Sequence, residues 1–372
     1  MEYIKLGDIC EIKSSKRIYQ SDYVDEGIPF YRGKEISQLS RNEDIEIELY
    51  ISKEKYTDLA DRFGSVKKGD LLITSVGTIG NTWVSDGRKF YYKDGNITQI
   101  IDNDRINTKF ISYLFKSDFI KNQYLKGTSG TAQIALSIEK LKKIVIPDFS
   151  LETQNKIVEV LDKAQDLIDK KIEQIDLLDE LVKSRFIEMF GNPISNPKSW
   201  KTSLLGEICE LKAGKNIKAS EIYEEQTEEL YPCYGGNGLR GYVDRYSHNG
   251  NINLIGRQGA LCGNVKYARG KFYATEHAVV TQPKIDINSY WLHFVLTELD
   301  LNRLSSGAAQ PGLTVGALNK VEIIQPPIEL QNEFAAFVEK VDSVRAAAEK
   351  SLQQLNDNFN SLMQKAFKGE LF

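Results

Sequence analysis

Leu151-Glu152-Thr153-Gln154-Asn155 opens a stretch that runs to Met189-Phe190, and Ile328-Glu329-Leu330-Gln331-Asn332 opens another that runs to Phe367-Lys368-Gly369-Glu370-Leu371-Phe372. A shift of 177 positions lays Glu152, Gln154 and Asn155 on Glu329, Gln331 and Asn332. The apolar positions shift with them. Ile157, Leu161, Ala164, Ile168, Lys171, Ile175, Leu178, Val182, Arg185 and Met189 alternate in steps of four and three, as do Phe334, Val338, Val341, Arg345, Ala348, Leu352, Leu355, Phe359, Leu362 and Ala366. Such steps make the seam of a coiled coil. Where one copy is polar in the seam (Lys171, Arg345, Arg185), the other has Ala348, Ile168 or Leu362. Two helices packed on each other show this pattern, the polar members fixing register at some cost in stability. Each seam covers roughly 33 residues, on the order of 50 Å of helix. The competing reading is two ordinary amphipathic helices on separate cores; the ten shared positions argue against it.

At 372 residues, 41% hydrophobic and 27% charged, the chain has the composition of a soluble protein with two or three domains. No run approaches the 18 or so apolar residues a membrane span needs, and Met1-Glu2-Tyr3-Ile4-Lys5 lacks the basic-then-apolar shape of a signal peptide. The four cysteines (Cys10, Cys209, Cys233, Cys262) show no CxxC spacing and read as reduced. A cytoplasmic protein with no membrane partner is expected. The net charge of −4 is unevenly spread: residues 151–190 hold 6 Lys/Arg against 10 Asp/Glu, and residues 329–372 hold 5 against 7. The intervening stretches are nearly neutral, with 23 against 22 in residues 1–150 and 14 against 13 in residues 191–328. A nucleic-acid reader would have to gather its basic groups on one face.

Those stretches repeat each other more loosely. Lys5-Leu6-Gly7-Asp8-Ile9-Cys10-Glu11-Ile12-Lys13 resembles Leu204-Leu205-Gly206-Glu207-Ile208-Cys209-Glu210-Leu211-Lys212, and Gly130-Thr131-Ala132-Gln133 resembles Gly307-Ala308-Ala309-Gln310. The plan is lobe, helix, lobe, helix, with boundaries at 1–150, 151–192, 193–327 and 328–372. Each lobe reads as α+β. In the first, Asp70 to Gly80 is a buried strand and glycine turn. Asn81 to Tyr92 alternates like a further strand with Asp86-Gly87 as its turn, and Phe110 to Tyr124 has helical spacing. In the second, strands are expected at Asn253–Gly256 and Asn264–Tyr267, a turn at Arg269-Gly270, and a helix from Tyr290 to Leu299. Gly191-Asn192-Pro193-Ile194-Ser195-Asn196-Pro197 reads as a helix stop and linker.

Motifs for covalent chemistry are missing. Gly236-Asn237-Gly238-Leu239-Arg240-Gly241 fits GxGxxG, but Tyr242-Val243-Asp244 does not open a helix and no acid lies between Gly256 and Val265. A flexible loop near a ligand or phosphate is the expectation there. No Walker A pattern occurs, and His248, His277 and His293 lack ligand spacing, so no metal is expected. Pro147-Asp148 falls after Glu11-Ile12-Lys13, the wrong order for a PD…ExK nuclease. Asn192-Pro193 and Asn196-Pro197 continue with Ile194 and Lys198, unlike an adenine-methyltransferase motif.

What remains is a paired set of loops rich in glycine, hydroxyls, amides and basic groups. In the first lobe they offer Lys16, Arg17, Arg32, Lys34, Thr78, Thr128, Ser129, Thr131 and Gln133. In the second they offer Lys215, Asn216, Asn237, Arg240, Arg257, Gln258, Ser305, Ser306 and Gln310. Glycine permits close backbone approach, hydroxyls and N–H groups take phosphate oxygens, Arg reads guanine, and Asn or Gln reads adenine. For any single loop a solvated turn is the better reading; the pairing of such loops at matching places is what favours DNA.

The chain resembles the specificity (S) subunits of type I restriction-modification systems over essentially its whole length. The resemblance is carried by the helix starts Leu151-Glu152-Thr153-Gln154 and Pro327-Ile328-Glu329-Leu330-Gln331, and by the helix ends Ser184 to Pro193 and Leu362 to Leu371. Ile73-Thr74-Ser75-Val76-Gly77-Thr78-Ile79-Gly80 and Gly307 to Leu313 add to it. It implies two α/β-mixed target recognition domains separated by two long antiparallel helices, a pseudo-twofold internal repeat. Each domain would read one half of a split, asymmetric site in double-stranded DNA. The seam residues Ile157, Leu161, Ile168, Ile175, Leu178 and Val182 would meet Phe334, Val338, Val341, Leu352, Leu355 and Phe359. The pair would set the unread gap and dock two methyltransferase (M) subunits. The resemblance also implies that this chain is not catalytic and binds no cofactor. S-adenosylmethionine and adenine methylation would belong to the M subunits, and ATP-dependent cleavage to motor-nuclease (R) subunits. Asp148-Phe149-Ser150 departs from the family, which commonly has a second proline there. The alternative is a coiled-coil interaction scaffold whose lobes bind protein or small ligands.

Overall fold

The computed structural model describes residues 2–125, 135–259, 261–306 and 312–372. It divides into two compact units, Met1–Lys171 with Ser351–Phe372, and Ile172–Lys350. Each unit joins one lobe to parts of both long helices, which run Leu151–Phe190 and Ile328–Phe367, 40 residues apiece.

In the first unit a four-stranded antiparallel sheet has the order Ile12–Lys13, Ile97–Ile100, Leu71–Thr74, Thr82–Val84. Its central strands are buried on both faces, which explains their unbroken apolar runs. Leu71 and Ile73 point into a core with Phe110, Leu114, Ile157, Leu161, Ile168, Phe359 and Met363. Leu72 and Ile97 point the other way, onto Tyr31, Ile36, Phe90 and Tyr92. That second layer belongs to a smaller sheet, Tyr23–Val24, Tyr50–Ile51, Ile28–Tyr31, Tyr91–Tyr92.

The second unit repeats the main sheet strand for strand: Cys209–Ala213, Ala278–Pro283, Ile252–Gly256, Val265–Ala268. Ile255 and Val279 join a core with Trp291, Val182, Phe186, Phe190, Phe334 and Val338, while Leu254 and Val280 face Phe272. The small sheets differ. In the second unit the order is Gly238–Val243, Tyr231–Gly235, Lys271–Ala274, His248–Asn249. The helix segments of this unit pack antiparallel. Arg185 Nη2 meets Glu333 Oε1 at 3.0 Å, Phe186 and Phe190 set their rings edge-on to Phe334, and Asp179 pairs with Arg345 further along.

The repeated Gln-Asn has a structural reason. Gln154 is buried; its Oε1 accepts from Asn107 N–H at 2.9 Å, and its Nε2 donates to the carbonyls of Phe149 at 2.9 Å and Arg105 at 3.2 Å. Asn107 Nδ2 donates to Asn155 Oδ1 at 2.8 Å, and Asn107 Oδ1 caps the helix Thr108–Lys116. In the second unit Gln331 accepts from Asn288 N–H and donates to the Pro326 carbonyl, both at 2.9 Å. Asn288 donates to Asn332 at 2.8 Å and caps Ser289–Glu298. Each clamp ties the start of a long helix to the capped helix of its lobe. Replacing Gln331 by alanine leaves a buried N–H and a buried carbonyl without partners, at about 1–3 kcal/mol for an orphaned group. A loss of stability of that size, read from urea unfolding, is expected for Gln331→Ala. Exposed Glu329→Ala should stay within about 0.5 kcal/mol, and equal effects at the two sites would refute the clamp.

Three expectations need correction. Phe110 to Tyr124 is not one helix: Ser117 turns extended (ψ 149°), its hydroxyl bonds the Leu114 carbonyl, and a second helix, Asp118–Leu125, follows. Asn81 to Tyr92 is not a hairpin. Thr82–Val84 pairs with Leu71–Thr74, whereas Tyr91–Tyr92 crosses to the small sheet and runs parallel to Ile28–Tyr31, carried there by Phe90 stacking on Tyr31. Gly236 to Gly241 is no flexible loop. It is the turn and second strand of a hairpin, with Gly238 at φ +107°. The linker does stop its helix: Gly191, at φ +76°, donates to the Ile187 carbonyl at 2.8 Å, and Trp200 Nε1 donates to the Phe190 carbonyl at 3.0 Å.

Candidate nucleic-acid interface

The main sheet of each lobe brings distant loops to one edge. In the first lobe Ser14 Oγ bonds the Ile97 carbonyl at 3.2 Å, and Ser15 Oγ the Tyr92 carbonyl at 2.6 Å. Lys93 N–H donates to the Tyr31 carbonyl at 2.9 Å and Ser75 N–H to the Asn96 carbonyl at 2.7 Å. The segments bearing Lys16, Arg17, Arg32, Lys34 and Thr78 are thereby held together. Thr128, Ser129, Thr131 and Gln133 lie outside the described residues, as does Gln310.

In the second lobe Lys215 N–H donates to the Ala274 carbonyl at 2.9 Å, Thr275 N–H to Tyr234 at 2.9 Å, and Arg257 N–H to His277 at 3.1 Å. Asn264 Nδ2 reaches Asn237 Oδ1 at 3.3 Å, and the Asn216 carbonyl accepts from Tyr273 at 3.2 Å. Leu313 N–H donates to the Arg257 carbonyl at 2.8 Å; Gln258 and Ser306 both bridge to Gly312, and Ser305 precedes that bridge. Lys215, Asn216, Asn237, Arg240, Arg257, Gln258, Ser305 and Ser306 thus gather around one turn. Glycine is required at its centre, because a Cβ on Gly256 would fall 2.0 Å from the Gly236 carbonyl oxygen.

The two edges differ in charge. In the first lobe Arg32 Nη2 sits 2.7 Å from buried Glu35 and 2.9 Å from Glu48, Lys34 pairs with Glu48, and Arg17 Nε lies 3.2 Å from Asp94. The hydrogen bond from Lys34, seconded by Arg32, holds the Glu48 carboxyl below its ordinary range, and the bond to Glu35 pushes Arg32 further up. Lys16 lies over the Phe63 ring at 4.7 Å. In the second lobe Lys215, Arg240, Arg257 and Lys266 form no ion pair among the described residues, and Arg257 Nε is buried without a partner. Glu276 Oε1 lies 3.2 Å from His277 Nε2, while its Oε2 is buried without a partner.

Lys266 has no sequence signal of its own. It comes from the strand Val265–Ala268 and reaches the edge because its stem crosses Gly238, with Cε 3.2 Å from where a Cβ would stand. The carboxylates facing Arg17, Arg32 and Lys34 are equally invisible in the sequence, since Asp94 and Glu48 lie 77 and 14 residues from Arg17 and Lys34. The expected helix-seam residues lie inward: Ile157, Leu161, Ile168, Val182, Phe334, Val338, Val341 and Phe359 are buried, and Ile175, Leu178, Leu352 and Leu355 half-buried.

Among the described residues no helix is long and apolar enough to cross a membrane, and no group of three or more His, Cys, Asp or Glu could hold a metal. The sequence model of the type I restriction modification DNA specificity domain matches twice, over residues 1–177 and 197–357. The EcoprrI specificity subunit of Escherichia coli is 38% identical over 246 residues, 63% of this chain and 61% of the relative. A putative type I specificity subunit of Haemophilus influenzae is 34% identical over 186 residues, 49% of this chain and 45% of the relative. The chain therefore matches about three fifths of the length of the first and under half of the second. The MjaIX specificity subunit of Methanocaldococcus jannaschii is 26% identical over 341 residues, 82% of this chain and 78% of the relative. The S subunit from M. genitalium shares the fold at a TM-score of 0.61 and 19% identity, over 98% of this chain and 96% of that one. With the DNA specificity domain matched twice, over residues 1–177 and 197–357, the chain belongs to the type I restriction-modification specificity family.

Proposed function

We propose that this chain is the sequence-specific DNA-recognition subunit of a type I restriction-modification complex, each lobe reading one half of a bipartite, asymmetric site. The observation that supports this is the gathering, at one edge of each lobe's main sheet, of loops whose side chains are suited to bases and phosphates. Long-range hydrogen bonds hold these loops, so their groups are ordered before DNA arrives. The helix pair sets the unread gap. Forty residues of helix cover about 60 Å, enough to span half-sites about 34–36 Å apart on one face of B-form DNA. The same pair docks two methyltransferase subunits, which carry S-adenosylmethionine and methylate adenine in the cytoplasm. Motor-nuclease subunits join for ATP-dependent cleavage. Complex assembly of a type I restriction-modification system is the subject of a solved structure whose chain shares this fold at a TM-score of 0.62 and 18% identity.

Base-resolved mapping of methylated adenine, in cells carrying the partner methyltransferase with and without this chain, tests the reading. A split motif that appears only with the chain is expected. No new methylation, with the partner bound to the chain and active, would leave an interaction scaffold as the better reading. Within that motif, Arg257→Ala is expected to relax one base pair by about 1–3 kcal/mol. Uniform weakening at every sequence, with a shallower salt dependence, would move Arg257 to a phosphate.

A further inference from the structure

At the edge of the second lobe Lys215, Arg240 and Lys266 have no carboxylate partner among the described residues, whereas in the first lobe Arg17, Arg32 and Lys34 do and Lys16 lies over the Phe63 ring. Lys215 and Arg240 are exposed, and Lys266 is held by its stem across Gly238. None forms an ion pair among the described residues. Their mutual placement is fixed by backbone bonds: Lys215 to Ala274, Thr275 to Tyr234, and Gly256 to Asn264. In the first lobe Arg17, Arg32 and Lys34 already face Asp94, Glu35 and Glu48.

A cation with a carboxylate partner brings little net charge to DNA. To meet a phosphate it must leave that partner or present a neutral pair, and it displaces few condensed counterions. An unpaired cation displaces them fully, giving a slope of about −0.9 in log affinity against log salt for each phosphate met. We propose that the two lobes divide the work. Lys215, Arg240 and Lys266 of the second lobe form the phosphate grip that supplies the salt-sensitive affinity, while the paired cations of the first lobe add little to it. This rests on the DNA-recognition reading above and assigns Lys266 a role that its place on a strand does not suggest.

The test uses the full chain assembled with its methyltransferase partner and a duplex carrying its mapped site. Affinity is measured by fluorescence anisotropy across a salt series. Arg240→Gln/Lys266→Gln is expected to make the slope shallower by about 1.8, the value for two lost phosphate contacts. Arg17→Gln/Asp94→Asn, which removes a first-lobe cation together with its carboxylate, is expected to leave the slope within experimental error of the parent. Because Lys266 packs on a turn, Lys215→Gln/Arg240→Gln, both at exposed positions, serves as a second variant with the same expectation. Equal slope changes in the two lobes, or a larger change in the first, would overturn the division of labour while leaving DNA recognition intact. Failure of the parent complex to bind the duplex at any salt would instead remove the DNA reading itself.

Discussion

Phe334→Ala is expected to lower the stability of the second unit by about 3–5 kcal/mol, the range for truncating a buried phenylalanine. Phe334 is fully buried and lies edge-on to three rings, Phe186, Phe190 and Phe294, at centroid distances of 5.4, 5.6 and 5.1 Å. Phe190 in turn packs on Trp291 at 5.8 Å. These rings come from both long helices and from the capped helix of the lobe, so no single element can close the cavity by shifting alone. The loss adds the transfer free energy of the ring to a cavity term and to the edge-to-face contacts. Urea unfolding followed by tryptophan fluorescence reads it, since Trp291 is in the same core. Val344→Ala, half exposed on the second helix, is the control and should change little. A loss below about 1 kcal/mol at Phe334, well under the range for a buried ring, would mean that the helices do not share a core with the lobe.

The long helices were legible because their signal is local and doubled: a heptad pattern, a shared Glu-x-Gln-Asn, and a glycine-proline stop. The reason for Gln154 and Gln331 was not legible. Their partners Asn107 and Asn288 lie 47 and 43 residues away, and nothing in the spacing joins a helix start to a helix cap. Two main-sheet strands in each lobe could be read from runs such as Leu71-Leu72-Ile73, but the central strands Ile97–Ile100 and Ala278–Pro283 were not read. The small sheets could not be read, because Tyr91–Tyr92 and Lys271–Ala274 each pair parallel with a strand far away in sequence, with no turn to announce them. At the candidate site, loop composition picked out Arg257 and Arg240 on a gathered edge but could not reveal their compensation. Whether an arginine faces a carboxylate depends on tertiary approach, as Arg32 beside Glu48 shows.

A seven-residue insertion in each long helix, between Lys171 and Ile172 and between Lys350 and Ser351, is expected to move methylation from the native site to one with a longer gap. Seven residues add about 10 Å of helix, equivalent to about three base pairs at 3.4 Å each. A heptad changes the facing of the lobes by only about 20° and keeps the seam in phase, so Ile157, Leu161 and Ile168 stay in their core with Phe359 and Met363. The insert needs strong helix formers with apolar residues at the two seam positions. Both helices must be lengthened together. An insertion in one alone would pull Phe186 away from Phe334, or would take Leu161 out of the core it shares with Phe359. The half-sites should persist, since the loops bearing Arg32 and Arg257 lie within the lobes and not on the helices. Sequencing methylated adenines in cells carrying the variant and its partner gives gap and half-sites together. Unchanged half-sites across an unchanged gap would show that something other than helix length sets the spacing. Altered half-sites would show that the helices also shape the reading edges.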